Sequence, residues 1–112
     1  SPLVCQAGDF TLVHFNRLPL DDYPARIAAA QAFGKPVVCS EDRKIGEQGV
    51  LALETCVRLG CSWGLLVRDH NQYNPPFQFD GPTDDPLVYA RFKALAAPVG
   101  VDRWTQTHTP QF

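Results

Sequence analysis

Gly34-Lys35-Pro36-Val37-Val38-Cys39-Ser40-Glu41-Asp42 is the stretch that decides the fold. Val37 to Ser40 is a nearly continuous run of apolar or small residues. Such a run reads as a strand buried on both faces, the habit of parallel sheets. A glycine closes whatever precedes it, and Lys35-Pro36 leads into it. Two carboxylates, Glu41 and Asp42, follow at its carboxyl end.

Upstream, Thr11-Leu12-Val13-His14-Phe15 is a second short run of β-formers, ending at Asn16-Arg17-Leu18-Pro19. Between the two runs, Asp21-Asp22-Tyr23-Pro24 offers an acidic cap with proline in the first turn. Tyr23, Ile27, Ala30 and Phe33 then recur at spacings of three and four, one face of an amphipathic helix. Downstream, a helix is predicted from about Lys44-Ile45-Gly46-Glu47, with Val50, Leu53 and Val57 on one side and Gly60 at its end. Cys61-Ser62-Trp63-Gly64-Leu65-Leu66-Val67 reads as the third strand. A long polar and aromatic loop runs from Arg68 to Asp84. Asp85-Pro86 then caps a third helix with Val88, Phe92 and Leu95 on its apolar face, ended by Pro98. Gly100 to Phe112 is a tail containing Trp104. The start, on Leu3-Val4-Cys5, reads as part of an element.

The order is therefore β-α-β-α-β-α. Helices between strands imply parallel pairing through right-handed crossovers, hence an α/β fold. Three such units make three-eighths of a closed (β/α)8 barrel. Alone, they would leave open sheet edges and one poorly covered face. The expectation is a single partial domain over residues 1–112, with βα units at 9–97 and a tail at 98–112. It calls for partners, either the amino-terminal part of a barrel or a second chain. A self-sufficient flavodoxin-like minidomain is the alternative.

The chain has 112 residues and a net charge of −2. Its basic residues are scattered, with no cluster of the kind that nucleic acid would need. Apolar stretches reach about five residues, far short of the roughly 20 of a membrane span. There is no Met and no signal-peptide pattern, so the protein is read as cytoplasmic or as lacking its true amino terminus. The four cysteines, Cys5, Cys39, Cys56 and Cys61, form no C-x-x-C pair. They read as small buried hydrophobes, with a disulfide or metal site as the rival reading. Asp80, Asp84 and Asp85 do not match the spacing of a calcium loop. No nucleotide-binding or Gly-x-Ser-x-Gly signature occurs, and no cofactor or metal is expected.

Sites in parallel α/β folds lie at the carboxyl ends of strands. That rule selects His14, Asn16 and Arg17; then Glu41 and Asp42; then Trp63 and the segment Arg68 to Tyr73. Glu41 is the leading candidate, because a carboxylate at the mouth of a buried strand is partly desolvated and can serve as nucleophile or base. It could equally be a capping or salt-bridged acid within Ser40-Glu41-Asp42-Arg43-Lys44. His14 could hydrogen-bond Glu41 across neighbouring strands or be structural. Trp63 could offer a flat face to a sugar or lie in the core. Arg17, Asn71 and Tyr73 could line a substrate wall or be solvated loop residues.

Gly34 to Asp42, followed by Gly46-Glu47 and Gly60-Cys61-Ser62-Trp63-Gly64, resembles strands seven and eight of the (β/α)8 glycoside hydrolases that include cellulases and β-mannanases. His14-Phe15-Asn16-Arg17, Asn71-Gln72-Tyr73 and Asp84-Asp85-Pro86 are similar to bacterial cellulase-like barrel proteins in particular. The likeness covers about residues 9 to 97. It implies strands six to eight of such a barrel acting on carbohydrate by a retaining mechanism. By that likeness Glu41 maps to the nucleophile, Trp63 to the aromatic residue beneath the sugar, and His14 to the strand-six residue beside the nucleophile. The family's acid/base is a Glu after Asn on strand four, and no Asn-Glu pair occurs here. The chain alone is thus expected to be inactive. The alternative is a non-catalytic α/β interaction or carbohydrate-binding domain.

Overall fold

The computed structural model describes residues 1–67 and 80–97. Its elements are helix α1 (Pro2–Ala7), strand β1 (Thr11–His14), a 3-10 turn (Leu20–Asp22), α2 (Tyr23–Gln31), β2 (Val37–Asp42), α3 (Gly46–Arg58), β3 (Cys61–Leu65) and α4 (Pro86–Ala96). The three strands form one parallel sheet in the order β1-β2-β3. The fold class is α/β, with helices alternating with strands as the hydrophobic pattern required.

This order never reverses. Right-handed crossovers that always step the same way put every connecting helix on the same face. A doubly wound sheet instead needs a reversal point. The packing obeys this winding. Val37, Cys39, Cys61 and Trp63 from one face of the sheet share a single core with Tyr23 and Ile27 of α2, Leu53 and Cys56 of α3 and Val88 of α4. On the other face, Leu12 is 50% exposed and Ser40 and Ser62 are exposed. Among the described residues, the sheet has one covered face and one bare face.

Local sequence explains the element ends, with some differences from expectation. Helix α2 is entered through a 3-10 turn, and Asp22 makes no side-chain cap. Gly34 adopts φ +72°, a left-handed conformation that lets the chain leave the helix without a Cβ penalty. The opening segment is a short helix, α1, without buried residues. Lys35 Nζ ties it down by donating to the carbonyl of Cys5 at 2.7 Å and to that of Gln6. Asp85 caps α4 by accepting from Val88 N–H, and its other oxygen accepts from Gly46 N–H at 2.7 Å. One buried carboxylate therefore serves the amino termini of both α3 and α4.

The face that α3 buries differs from the one expected. Gly49, Ala52, Leu53 and Cys56 point inward, while Val57 is exposed. The cause is close packing at the start of the helix. A Cβ on Gly49 would sit 2.6 Å from the Lys44 carbonyl oxygen and 2.7 Å from Val88 Cγ2. Small residues win that face because α4 lies against it. Gly49→Ala is therefore expected to destabilise the fold by about 1–3 kcal/mol through overpacking, although alanine is the better helix former. Urea unfolding of the variant would measure it. A gain in stability would show that α4 can move away at little cost.

Candidate functional site

The carboxyl end of β2 contains an irregularity that sorts the two carboxylates. Pairing with β1 runs Thr11 to Val37, Leu12 to Val38 and Val13 to Cys39, and then jumps to His14 with Glu41. Pairing with β3 is interrupted between Cys39 and Asp42. Ser40 is thus an extra residue, a β-bulge. In an unbroken strand, residues 37, 39 and 41 would share the covered face. The inserted residue inverts the alternation, so Glu41 joins His14 on the bare face and Asp42 turns into the core.

On the bare face, Glu41 Oε2 lies 3.5 Å from His14 Nδ1 and accepts a hydrogen bond from Asn16 Nδ2 at 2.9 Å. The backbone there is held as well, because Phe15 N–H donates to the Glu41 carbonyl at 2.8 Å. The Glu41 side chain is 29% exposed and that of His14 50%. His14 and Glu41 do meet across neighbouring strands, at ion-pair distance and not through the hydrogen bond that the sequence suggested. Arg17 is exposed just beyond this rim, with no ion pair to another described residue. Asn71 and Tyr73 lie outside the described residues.

Trp63 requires a correction. It does not join Glu41 and His14 on the bare face. Its ring is buried on the helix side, 5.7 Å from that of Phe92 on α4. Its indole Nε1–H donates to Asp42 Oδ2 at 2.8 Å. The reason is parity: Trp63 pairs with Cys39, before the bulge, and so faces the covered side.

Asp42 is the residue that sequence reasoning undervalued. Its side chain is 0% exposed. It accepts from Trp63 Nε1, from the Tyr23 hydroxyl, and from Lys44 through both backbone N–H and Nζ. Lys44 also donates to the Phe15 carbonyl at 2.8 Å and lies over the Tyr23 ring. The salt-bridged acid in the Ser40 to Lys44 cluster is therefore Asp42 and not Glu41. A Lys two residues beyond an Asp, with Tyr and Trp each alone in an apolar pattern, was the available signal. Asn16 was visible only as the first polar side chain after β1.

The cysteines follow the buried-hydrophobe reading. Cys39, Cys56 and Cys61 are buried, Cys5 is partly buried, and all four are free thiols. Burial, with Asp42 nearby, pushes the Cys39 thiol up to about 12. Cys56 is raised by its hydrogen bond to Cys61 and by burial, and Cys61 is lowered by the same bond. Among the described residues no group of three or more His, Cys, Asp and Glu is placed to hold a metal ion, and no helix is long and apolar enough to cross a membrane.

What the described residues define is a parallel α/β layer with one carboxylate presented at the carboxyl rim of its bare face. No protein-family model, characterised protein or solved structure matches the chain.

Proposed function

We propose that this chain supplies strands six to eight of a (β/α)8 barrel, and that the barrel is a retaining glycoside hydrolase with Glu41 as its nucleophile. The observation that carries the reading is the placement of Glu41. Its carboxylate sits at the carboxyl end of a parallel strand, on the uncovered face, fixed by Asn16 and beside His14. Active sites of such barrels occupy that rim.

Two further features support a closed barrel around this layer. Unidirectional winding with all helices outside is the way a barrel is built. A cavity of about 660 Å³ also opens beside β1, lined by Val4, Phe10, Leu12 and His14. A neighbouring βα unit would fill such a space and cover Leu12.

The chemistry divides the labour. Glu41 attacks the anomeric carbon, forming a carbon–oxygen ester bond while the glycosidic bond breaks. The leaving oxygen takes the electron pair and a proton from a second carboxyl. Water then hydrolyses the ester, and the second group takes the water's proton. Retention needs that partner about 5–5.5 Å from Glu41. Asp42 cannot serve, since it points to the opposite face and its oxygens are engaged by Trp63, Tyr23 and Lys44. The partner comes from another βα unit.

In the intact barrel, Glu41→Gln is expected to lower turnover of an aryl β-glycoside by roughly 10³-fold or more while the protein stays folded. An unaltered rate would reject the assignment. A stable, oligomeric assembly of this chain alone, with its bare face covered by a second copy, would favour the non-catalytic interaction domain instead.

A further inference from the structure

Resting on that reading, we infer that Asn16 is the positioning residue that makes Oε1 the attacking oxygen of Glu41. A carboxylate has two equivalent oxygens, and a nucleophile must present one of them unencumbered. The structure distinguishes them. Both polar neighbours converge on Oε2: the Asn16 amide at 2.9 Å and the His14 imidazole at 3.5 Å. Oε1 makes no hydrogen bond to another described side chain.

The hold on Oε2 is supported because the backbone leading into Asn16 is itself tied down. The residue before it donates its backbone N–H to the Glu41 carbonyl at 2.8 Å and accepts from Lys44 Nζ on its own carbonyl at 2.8 Å. Lys44 is in turn paired with the buried Asp42. Consecutive residues of one loop thus bind Glu41 by its main chain and by its side chain. Rotation of the carboxylate would break the hydrogen bond from the Asn16 amide, so the pair of atoms is pre-organised before substrate arrives. Asn16 touches no reacting atom. It acts through Glu41.

The test uses the intact barrel, with 2,4-dinitrophenyl β-glucoside, β-cellobioside and β-mannobioside as probes. Asn16→Ala and the isosteric Asn16→Asp should each lower kcat by about 10²-fold, with KM changed no more than about threefold. In parallel, the side-chain amide resonances of Asn16 should move on Glu41→Gln, a readout that needs no turnover. Unmoved resonances overturn the inference. So does a loss confined to KM, or an unchanged kcat, in the Asn16 variants when Glu41→Gln is dead. A Glu41→Gln protein as active as the parent, or a parent inert to all three probes, with the Asn16 resonances still responding to Glu41, overturns the reading of the site while leaving the Asn16–Glu41 clamp standing.

Discussion

Asp42→Ala is expected to cost about 3–5 kcal/mol of folding stability, the largest loss from any single substitution around the site. The side chain has no exposed surface, and its removal leaves the Trp63 indole N–H and the Tyr23 hydroxyl without their acceptor and the Lys44 ammonium without its counter-charge, with only the Phe15 carbonyl to receive it. The ammonium dominates the loss, since a largely buried charge without a counter-charge is more costly than an unpaired neutral donor. Asp42→Asn should cost less, because a carbonyl oxygen remains for one of the donors, yet it still removes the charge opposite Lys44. Urea unfolding at neutral pH would rank the two. If Asp42→Ala unfolds within about 1 kcal/mol of the parent, the network is ornamental and the bulge is held by something else. The same substitution should also disturb Glu41, since the bulge that turns one carboxylate inward turns the other outward.

The second large effect is alkaline. Burial first, and the Asp42 charge second, push the Cys39 thiol from its ordinary 9.0 to about 12. Burial first, and then the hydrogen bond to Asp42, push the Tyr23 hydroxyl above its ordinary 10.0. Both groups are raised, so the folded protein keeps protons that the unfolded chain releases. Their contribution is whole below pH 9 and is lost as pH climbs through the raised values. Each retained proton costs about 1.4 kcal/mol per pH unit. Cys39 alone should therefore withdraw on the order of 4 kcal/mol between pH 9 and pH 12, with Tyr23 adding to the fall above pH 10. Cys56 and Cys61 shift in opposite directions and oppose one another. Unfolding free energy measured against pH should drop steeply above 9, and the drop should be shallower in Cys39→Ala and in Tyr23→Phe. A flat profile to pH 11 would mean that the core admits these charges and is wetter than its packing indicates.

These two effects meet at a single residue, which links stability to the site. Asp42 anchors the bulge, raises the groups around it and holds Lys44, which in turn holds the loop bearing Asn16. The partly exposed Glu41 on one face of β2 is thereby supported by a buried polar network on the other. Substitutions in the network are expected to reach Glu41 without contacting it.

The pattern of hydrophobic residues settled the succession of strands and helices, and with it the parallel pairing. Val37 to Cys39 could be read as a buried strand, and Ile27 with Ala30 as a helix face, because side-chain period is a local property that neighbouring residues impose on each other. Helix–strand alternation also implied that the layer would have one face to cover. Three things came only from the folded chain. The inward face of α3 is rotated toward Gly49 and Ala52, because α4 packs there and no local period records a neighbour distant in sequence. Trp63 went to the core, because the parity of its pairing with Cys39 puts it on the covered face of β3. The exchange of roles between Glu41 and Asp42 depends on one extra residue, Ser40, whose insertion reverses every face beyond it. The bulge turns Asp42 toward the donors of Tyr23, Trp63 and Lys44, and two of these, Tyr23 and Trp63, come from distant places along the chain.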